Sequence, residues 1–197
     1  MRVLFVSFAV ILFDQASKLI VKGISIPLLQ INFHGMYAGQ RISMLNGLLN
    51  ITFVENPGIA FGIYPGDHFK LIICLFTISA SILMCYYLYK YRNGPFTPRL
   101  SLAIIMGGAL GNLIDRLFYG IIFGYGGFFH GRVVDFFNIK FFNVFILNRI
   151  LGDYVFNVAD IAVTCGVIMF LLSLDKKKTA ENEERVEIEN YLADDKK

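Results

Sequence analysis

Apolar residues gather in four runs, at about 3–20, 71–89, 100–122 and 155–174, with stretches of different character between them. About 20 apolar residues carry a helix across the hydrocarbon core of a bilayer, so the pattern predicts four transmembrane helices. The first run follows Arg2 much as the core of a cleavable signal peptide would. However, Asp14, Gln15 and Lys18 interrupt it where such a segment stays apolar, and no small-residue cleavage site follows. It therefore reads as a retained span. Asp14 and Lys18 are four apart, so they share a helical face and can pair. In the third run Gly107, Gly108 and Gly111 give the small-residue spacing that lets two helices approach closely.

The connections divide by polarity. In residues 21–70, Leu49, Ile51 and Phe53 alternate with Asn50, Thr52 and Val54 after an Asn46-Gly47 dipeptide of hairpin type. Ile42–Glu55 thus predicts a small β element at the membrane surface. It leads into NPGIAFG (56–62), whose plainer reading is a Pro-Gly turn and whose glycines also permit close backbone approach. Residues 123–154 are aromatic and Gly-rich, with too little unbroken apolar length to span.

Basic residues set the orientation. Arg2 precedes span one, Lys90, Arg92 and Arg99 lie at the loop after span two, and Lys176–Lys178 follow span four. With four spans all of these fall on one side, so both termini are expected in the cytoplasm and segments 21–70 and 123–154 outside. Residues 1–174 form one membrane domain, and 175–197 read as a charged cytoplasmic tail. Composition agrees: 56% of the 197 residues are hydrophobic and only 17% charged, a balance for a multi-span membrane protein. No basic patch with interleaved aromatics points to nucleic acid. Cys74, Cys85 and Cys165 lie inside apolar runs without ligand spacing, as buried free thiols would.

This topology brings the unusual polar residues to one depth. Asp14 and Lys18 fall near the outer end of span one, Asn112, Asp115 and Arg116 in the outer half of span three, and Asn157 and Asp160 at the outer end of span four. Asn56 and Asp135 lie in the outer segments. Ionisable groups at mid-bilayer cost about 2.5–3.5 kcal/mol each on insertion scales, so their convergence marks a functional site. Asp115 beside Arg116 reads as a charge-compensated structural group. Asp135 and Asp160 have no sequence-adjacent cation except Arg132, three residues before Asp135, and are the better working pair. Two carboxylates in a low-dielectric site share one proton. The ionised member takes a proton from water while the protonated one polarises a carbonyl, which is chemistry that hydrolyses a peptide bond without a metal or a nucleophilic serine. No H-E-x-x-H or Gly-x-Ser-x-Gly occurs, and ILGD (150–153) lacks the first glycine of GxGD. A small ion or proton transporter is the first rival, but the inner halves of the spans are nearly bare of polar groups. A non-catalytic membrane scaffold is the second, and it does not explain two aspartates at one depth.

The blocks FDQASK (13–18), NPGIAFG (56–62), GGALGNLIDR (107–116), VVDF (133–136) and FNVAD (156–160), in this order, resemble the lipoprotein signal peptidase family (signal peptidase II), bacterial inner-membrane aspartyl proteases. The resemblance implies four transmembrane helices with a small extracytoplasmic β-cradle and a flexible outer loop. It implies cleavage of diacylglyceryl-modified prolipoproteins before the lipid-bearing lipobox cysteine, near the outer leaflet. By motif matching, Asp135 and Asp160 are catalytic, and Asn56, Gly58, Asn112, Arg116 and Asn157 orient substrate or carboxylates. Asp14, Lys18, Gly108, Asp115 and Ala159 support the site. No cofactor or metal is implied. The expected partners are prolipoproteins, membrane lipids and inhibitors of the globomycin type, on a monomeric enzyme. Two departures stand out: an expanded 118–132 segment between Asp115 and Asp135, and Ile161 where many members carry serine.

Overall fold

The computed structural model describes residues 2–26, 30–58, 66–139, 145–146, 149–150 and 154–175. The expected tail and the part of NPGIAFG after Gly58 lie outside the described residues.

Among the described residues, four helices are long and apolar enough to cross a membrane: α1 (Leu4–Lys22), α2 (Asp67–Lys90), α3 (Phe96–Ile122) and α4 (Val158–Asp175). The ends differ from the hydropathy pattern where local chemistry overrides it. α2 and α3 each begin four residues before their apolar runs. In α3 the residue before the helix is Pro95 and Pro98 falls in the first turn, where a missing N–H costs no helical bond. α4 begins at Val158 and not at 155, because Tyr154–Phe156 is a strand and Asn157 caps the helix. α3 is the hub, with 44% of its apolar window buried against 17% for α2 and α4. Its glycines make this possible. A β-carbon on Gly107 would lie 2.8 Å from the Ser7 carbonyl oxygen of α1, and one on Gly108 would meet the Ala159 carbonyl oxygen of α4.

The strands in chain order are β1 (Gly23–Ile26), β2 (Ile31–His34), β3 (Arg41–Met44), β4 (Leu49–Asn56), β5 (Val133–Ile139), β6 (Phe145–Ile146), β7 (Arg149–Ile150) and β8 (Tyr154–Phe156). β3, β4, β5 and β8 form one antiparallel sheet in that order, while β1–β2 and β6–β7 pair separately. The β3–β4 turn uses Asn46 and Gly47 at φ 55° and 86°, the conformation expected of that dipeptide.

The alternation expected in β4 is present, but the covered side is the polar one. Asn50 lies opposite Asn138, and both are buried, as is Thr52, while Leu49 and Ile51 are half-buried. A register shift between Ile51 and Val54 then buries Phe53 next to Thr52. β5, the strand that carries Asp135, extends the expected cradle, and it is placed by the preceding connection. The amides of Phe129 and Gly131 donate to the carbonyls of Leu117 and Arg116 (3.3 and 3.0 Å), so segment 123–132 folds back along the end of α3. Val21, Phe53, Tyr119, Val134 and Phe136 form the core that locks the sheet to the ends of α1 and α3. Burying side chains of this size stabilises by about 1.5–3 kcal/mol each. Of the cysteines expected to be buried, only Cys74 is. Cys85 and Cys165 are exposed on the outer surfaces of α2 and α4.

Candidate active site

Asp135 sits on β5 opposite Val54 of β4, so it projects from the same face as Val54 and Asn56. It is 5% exposed. Asn56 Nδ2 donates to its Oδ2 (3.1 Å) and Asn157 Nδ2 to its Oδ1 (2.7 Å). The Gly58 amide donates to Asn56 Oδ1 (2.9 Å), which turns the Asn56 NH2 group toward the carboxylate. The Pro-Gly turn after β4 therefore orients a site residue and carries Gly58 into the buried region.

Asp160 is reached through the start of α4. Asn157 is the cap, its Oδ1 accepting from the Asp160 amide (3.0 Å), and Asp160 Oδ2 accepts from the Asn157 amide (3.1 Å). This is a reciprocal capping box with the cap and third helical positions filled by Asn and Asp. Asn112 of α3 donates to Asp160 Oδ1 (2.9 Å). Asn157 is the shared member: it caps the helix, braces Asp160 and holds Asp135. No cation forms an ion pair with either carboxylate among the described residues.

Burial pushes the Asp135 carboxyl up to about 7, with the negative charge of Asp160 adding to the rise. The amide donors Asn56 and Asn157 and the positive charge of Lys18 oppose it. Asp135 is therefore poised to exchange a proton near neutral pH beside a second, half-buried carboxylate.

Behind this pair lies a second cluster. Lys18 is fully buried and places all three N–H bonds: on Asp14 Oδ2 (2.8 Å), Asp115 Oδ2 (2.8 Å) and Asn112 Oδ1 (2.9 Å). Asp14 Oδ1 also accepts the Ala159 amide in the first turn of α4 (2.9 Å), where the helix end favours negative charge. Asp115 accepts the Val134 amide (3.2 Å), fixing the strand beside Asp135. The i, i+4 pair Asp14–Lys18 forms as its spacing suggests. The pairing assigned to Asp115 needs correction: its cation is Lys18 of α1 and not the adjacent Arg116. Arg116 is half-buried and donates to the Asn112 carbonyl (3.3 Å).

Two contributors had no assigned role. Gln15 donates to Asp115 Oδ1 (2.8 Å) and the Gly111 carbonyl (3.1 Å), and Tyr119, 2% exposed, donates to Gln15 Oε1 (3.0 Å). A polar residue beside Asp14 in an apolar run was the signal available for Gln15. Nothing distinguished Tyr119 among ten tyrosines.

Comparison with known proteins points to one family. The chain is 33% identical over 175 residues to the lipoprotein signal peptidase of Clostridium novyi (strain NT), covering 88% of this chain and 97% of that protein. It is 36% identical over 143 residues to the lipoprotein signal peptidase of Clostridium acetobutylicum, covering 71% of this chain and 80% of the relative. A bacterial membrane enzyme solved by the in meso method at 2.3 Å resolution superposes with a TM-score of 0.68 at 26% identity, covering 91% of this chain and 90% of the enzyme. Residues 6–175 match the model of the family described as signal peptidase (SPase) II, and with a capped aspartate, a strand-borne aspartate and four spans in place, the chain belongs to the signal peptidase II family, whose members are aspartic-type peptidases of the bacterial inner membrane.

Proposed function

We propose that this chain removes the signal peptide from diacylglyceryl-modified prolipoproteins, cutting before the lipid-bearing cysteine, with Asp135 and Asp160 as the catalytic pair. The observation that carries the assignment is the contrast in partners. Among the described residues these two carboxylates are held by amide donors alone, whereas Asp14 and Asp115 are consumed by a buried lysine. Asp135, titrating near 7, holds the shared proton. Asp160 takes a proton from water, and the hydroxyl adds to the scissile carbonyl, whose oxygen receives the Asp135 proton. The resulting diol collapses, the C–N bond breaks, and a proton passes to the leaving nitrogen. Asn56, Asn112 and Asn157 hold both carboxylates in register, and half-buried Arg116 faces the substrate backbone.

The spread of basic residues supports cytoplasmic termini and a site near the outer leaflet. Residues 1–174 work as one domain, and a monomer suffices, since both aspartates come from one chain. The lipid-modified cysteine stays anchored in the outer leaflet, which lowers the entropy cost of alignment. Globomycin is expected to compete for the site.

The test is cleavage of a diacylglyceryl-modified prolipoprotein by purified enzyme in detergent, read as a size shift, with and without a chelator. Wild type is expected to cut in both, with Asp135→Asn and Asp160→Asn folded but inactive. A folded Asp135→Asn that cuts at the wild-type rate overturns the assignment.

A further inference from the structure

One charged cluster lies outside the chemistry above. Glu55 of β4 is in an ion pair with Lys22, the last residue of α1, and with Arg132 at the end of the expanded connection (3.3 Å). The Glu55 and Lys22 side chains are 20% and 8% exposed. Lys22 Nζ also lies over the Phe123 ring at 4.2 Å and the Tyr125 ring at 5.1 Å. Arg132 stacks on Tyr125 at 5.2 Å, and its backbone amide donates to the Tyr125 hydroxyl oxygen (2.9 Å). One carboxylate thus ties together three pieces of chain distant in sequence. Cation–aromatic contacts hold the expanded connection onto the knot.

The position of the knot gives it a consequence. Glu55 pairs with Val134 across the sheet, and the next pair is Asn56 with Val133. Glu55 projects to the face opposite the site, so it touches no reacting group. It nevertheless fixes the last residues of β4, and Asn56 reaches Asp135 from there. We propose that Glu55 is a positioning residue: by clamping Lys22 and Arg132 it holds the end of β4 so that the Asn56 carboxamide stays on Asp135. This rests on the catalytic reading of Asp135 given above.

A structural brace would change stability, whereas a positioning residue also changes titration. The charged and polar groups facing Asp135 are Asp160 from α4, Lys18 from α1, Asn56 from β4 and Asn157 at the cap of α4; Asp115 of α3 holds the adjacent Val134 amide. Asn56 favours the ionised form of Asp135. If Asn56 drifts away, the alkaline fall in kcat moves to higher pH.

The experiment measures kcat and KM between pH 5 and 9, with thermal unfolding in detergent, for wild type, Glu55→Gln and the charge-conserving Glu55→Asp. Glu55→Gln is expected to lower kcat about tenfold at pH 6.5, with KM little changed, and to move the alkaline limb upward by about half to one pH unit. Glu55→Asp, which keeps the negative charge between Lys22 and Arg132, is expected to retain most of kcat and the wild-type limb. If Glu55→Gln keeps the wild-type limb, the positioning role is wrong, whether or not stability falls. If wild type itself shows no alkaline limb and folded Asp135→Asn still cuts, the catalytic reading fails and takes this proposal with it.

Discussion

The molecule brings two pairs of aspartates close together and treats them in opposite ways. Asp14 and Asp115 share Lys18, and all three side chains are fully buried. Asp135 and Asp160 share Asn157, a neutral residue, with Asn56 and Asn112 completing the set. A cation fixes a carboxylate as a charge. An amide orients it but leaves its proton free to move. The difference teaches that what surrounds a carboxylate decides whether its proton is fixed or free to move, and that burial alone does not.

The largest expected effect breaks the comparison most directly. Asp135→Asn and Asp160→Asn are expected to lose on the order of 10³-fold or more in cleavage rate while remaining folded, because each removes a proton-transfer group and keeps its size. Asp115→Asn is expected to behave differently, with activity lost in proportion to folded protein. Cleavage normalised to the folded fraction, read by size-exclusion and circular dichroism, separates the two cases. Equal losses per folded molecule for all three would erase the distinction between the pairs.

Lys18→Met comes next. It leaves Asp14 and Asp115 buried side by side without a cation and withdraws the donor that orients Asn112 toward Asp160. Removing one partner from a buried ion pair costs about 3–5 kcal/mol. Thermal unfolding in detergent is expected to show a loss of that order, larger than for Asp135→Asn. A Lys18→Met enzyme of wild-type stability would mean that the second cluster is not the brace.

pH sharpens the contrast further. The Asp135 carboxyl titrates near 7 in the folded chain against 3.8 for the free group. Between those values the native state binds the proton more tightly than the unfolded state does. The contribution of this group is therefore most favourable at low pH, declines as pH rises from about 4 to 7, and is flat above. Asp135→Asn removes that decline. The stability difference is expected to move by about 2–3 kcal/mol in the variant's favour between pH 5 and 8. Parallel curves for variant and wild type would show that Asp135 carries no elevated proton affinity.

How much of this was readable in the residues depends on the range of each contact. Asp14–Lys18 was legible because a helix puts i and i+4 on one face. The bond from Lys18 to Asp115 was not, because it joins α1 to α3, and the adjacent Arg116 offered a simpler partner that the fold does not use. Four spans and the convergence of polar groups followed from hydropathy and basic loops. The strand around Asp135 was hidden, since Val133–Ile139 sits in an aromatic, glycine-rich stretch and becomes a strand by pairing with β4. In β4 the period was visible, but its covered side was not, because Asn50 is buried by a partner, Asn138, that only the pairing supplies. Tyr119 and Glu55 gave no signal, as both act through residues distant in sequence.

The two pairs meet at the first turn of α4, where Asp14 takes the Ala159 amide and Asp160 takes that of Asn157. Gly108 is what lets α3 approach there, since a β-carbon on it would run into the Ala159 carbonyl and Val163. Gly108→Ala is expected to cost about 1–3 kcal/mol, because backbone on both sides must shift to relieve the contact. The same shift would lengthen the Asn112–Asp160 bond from α3 to α4 and pull Asp14 off the helix end, so stability and cleavage per folded molecule fall together. Ile168→Ala, at a position 53% exposed on the outer surface of α4, serves as the control and is expected to change stability by about 0.5 kcal/mol or less. Unfolding midpoints and normalised cleavage measured on both variants decide it. If Gly108→Ala lowered stability without touching the rate per folded molecule, the brace and the reactive pair would be mechanically independent, and the first turn of α4 would not be their common support.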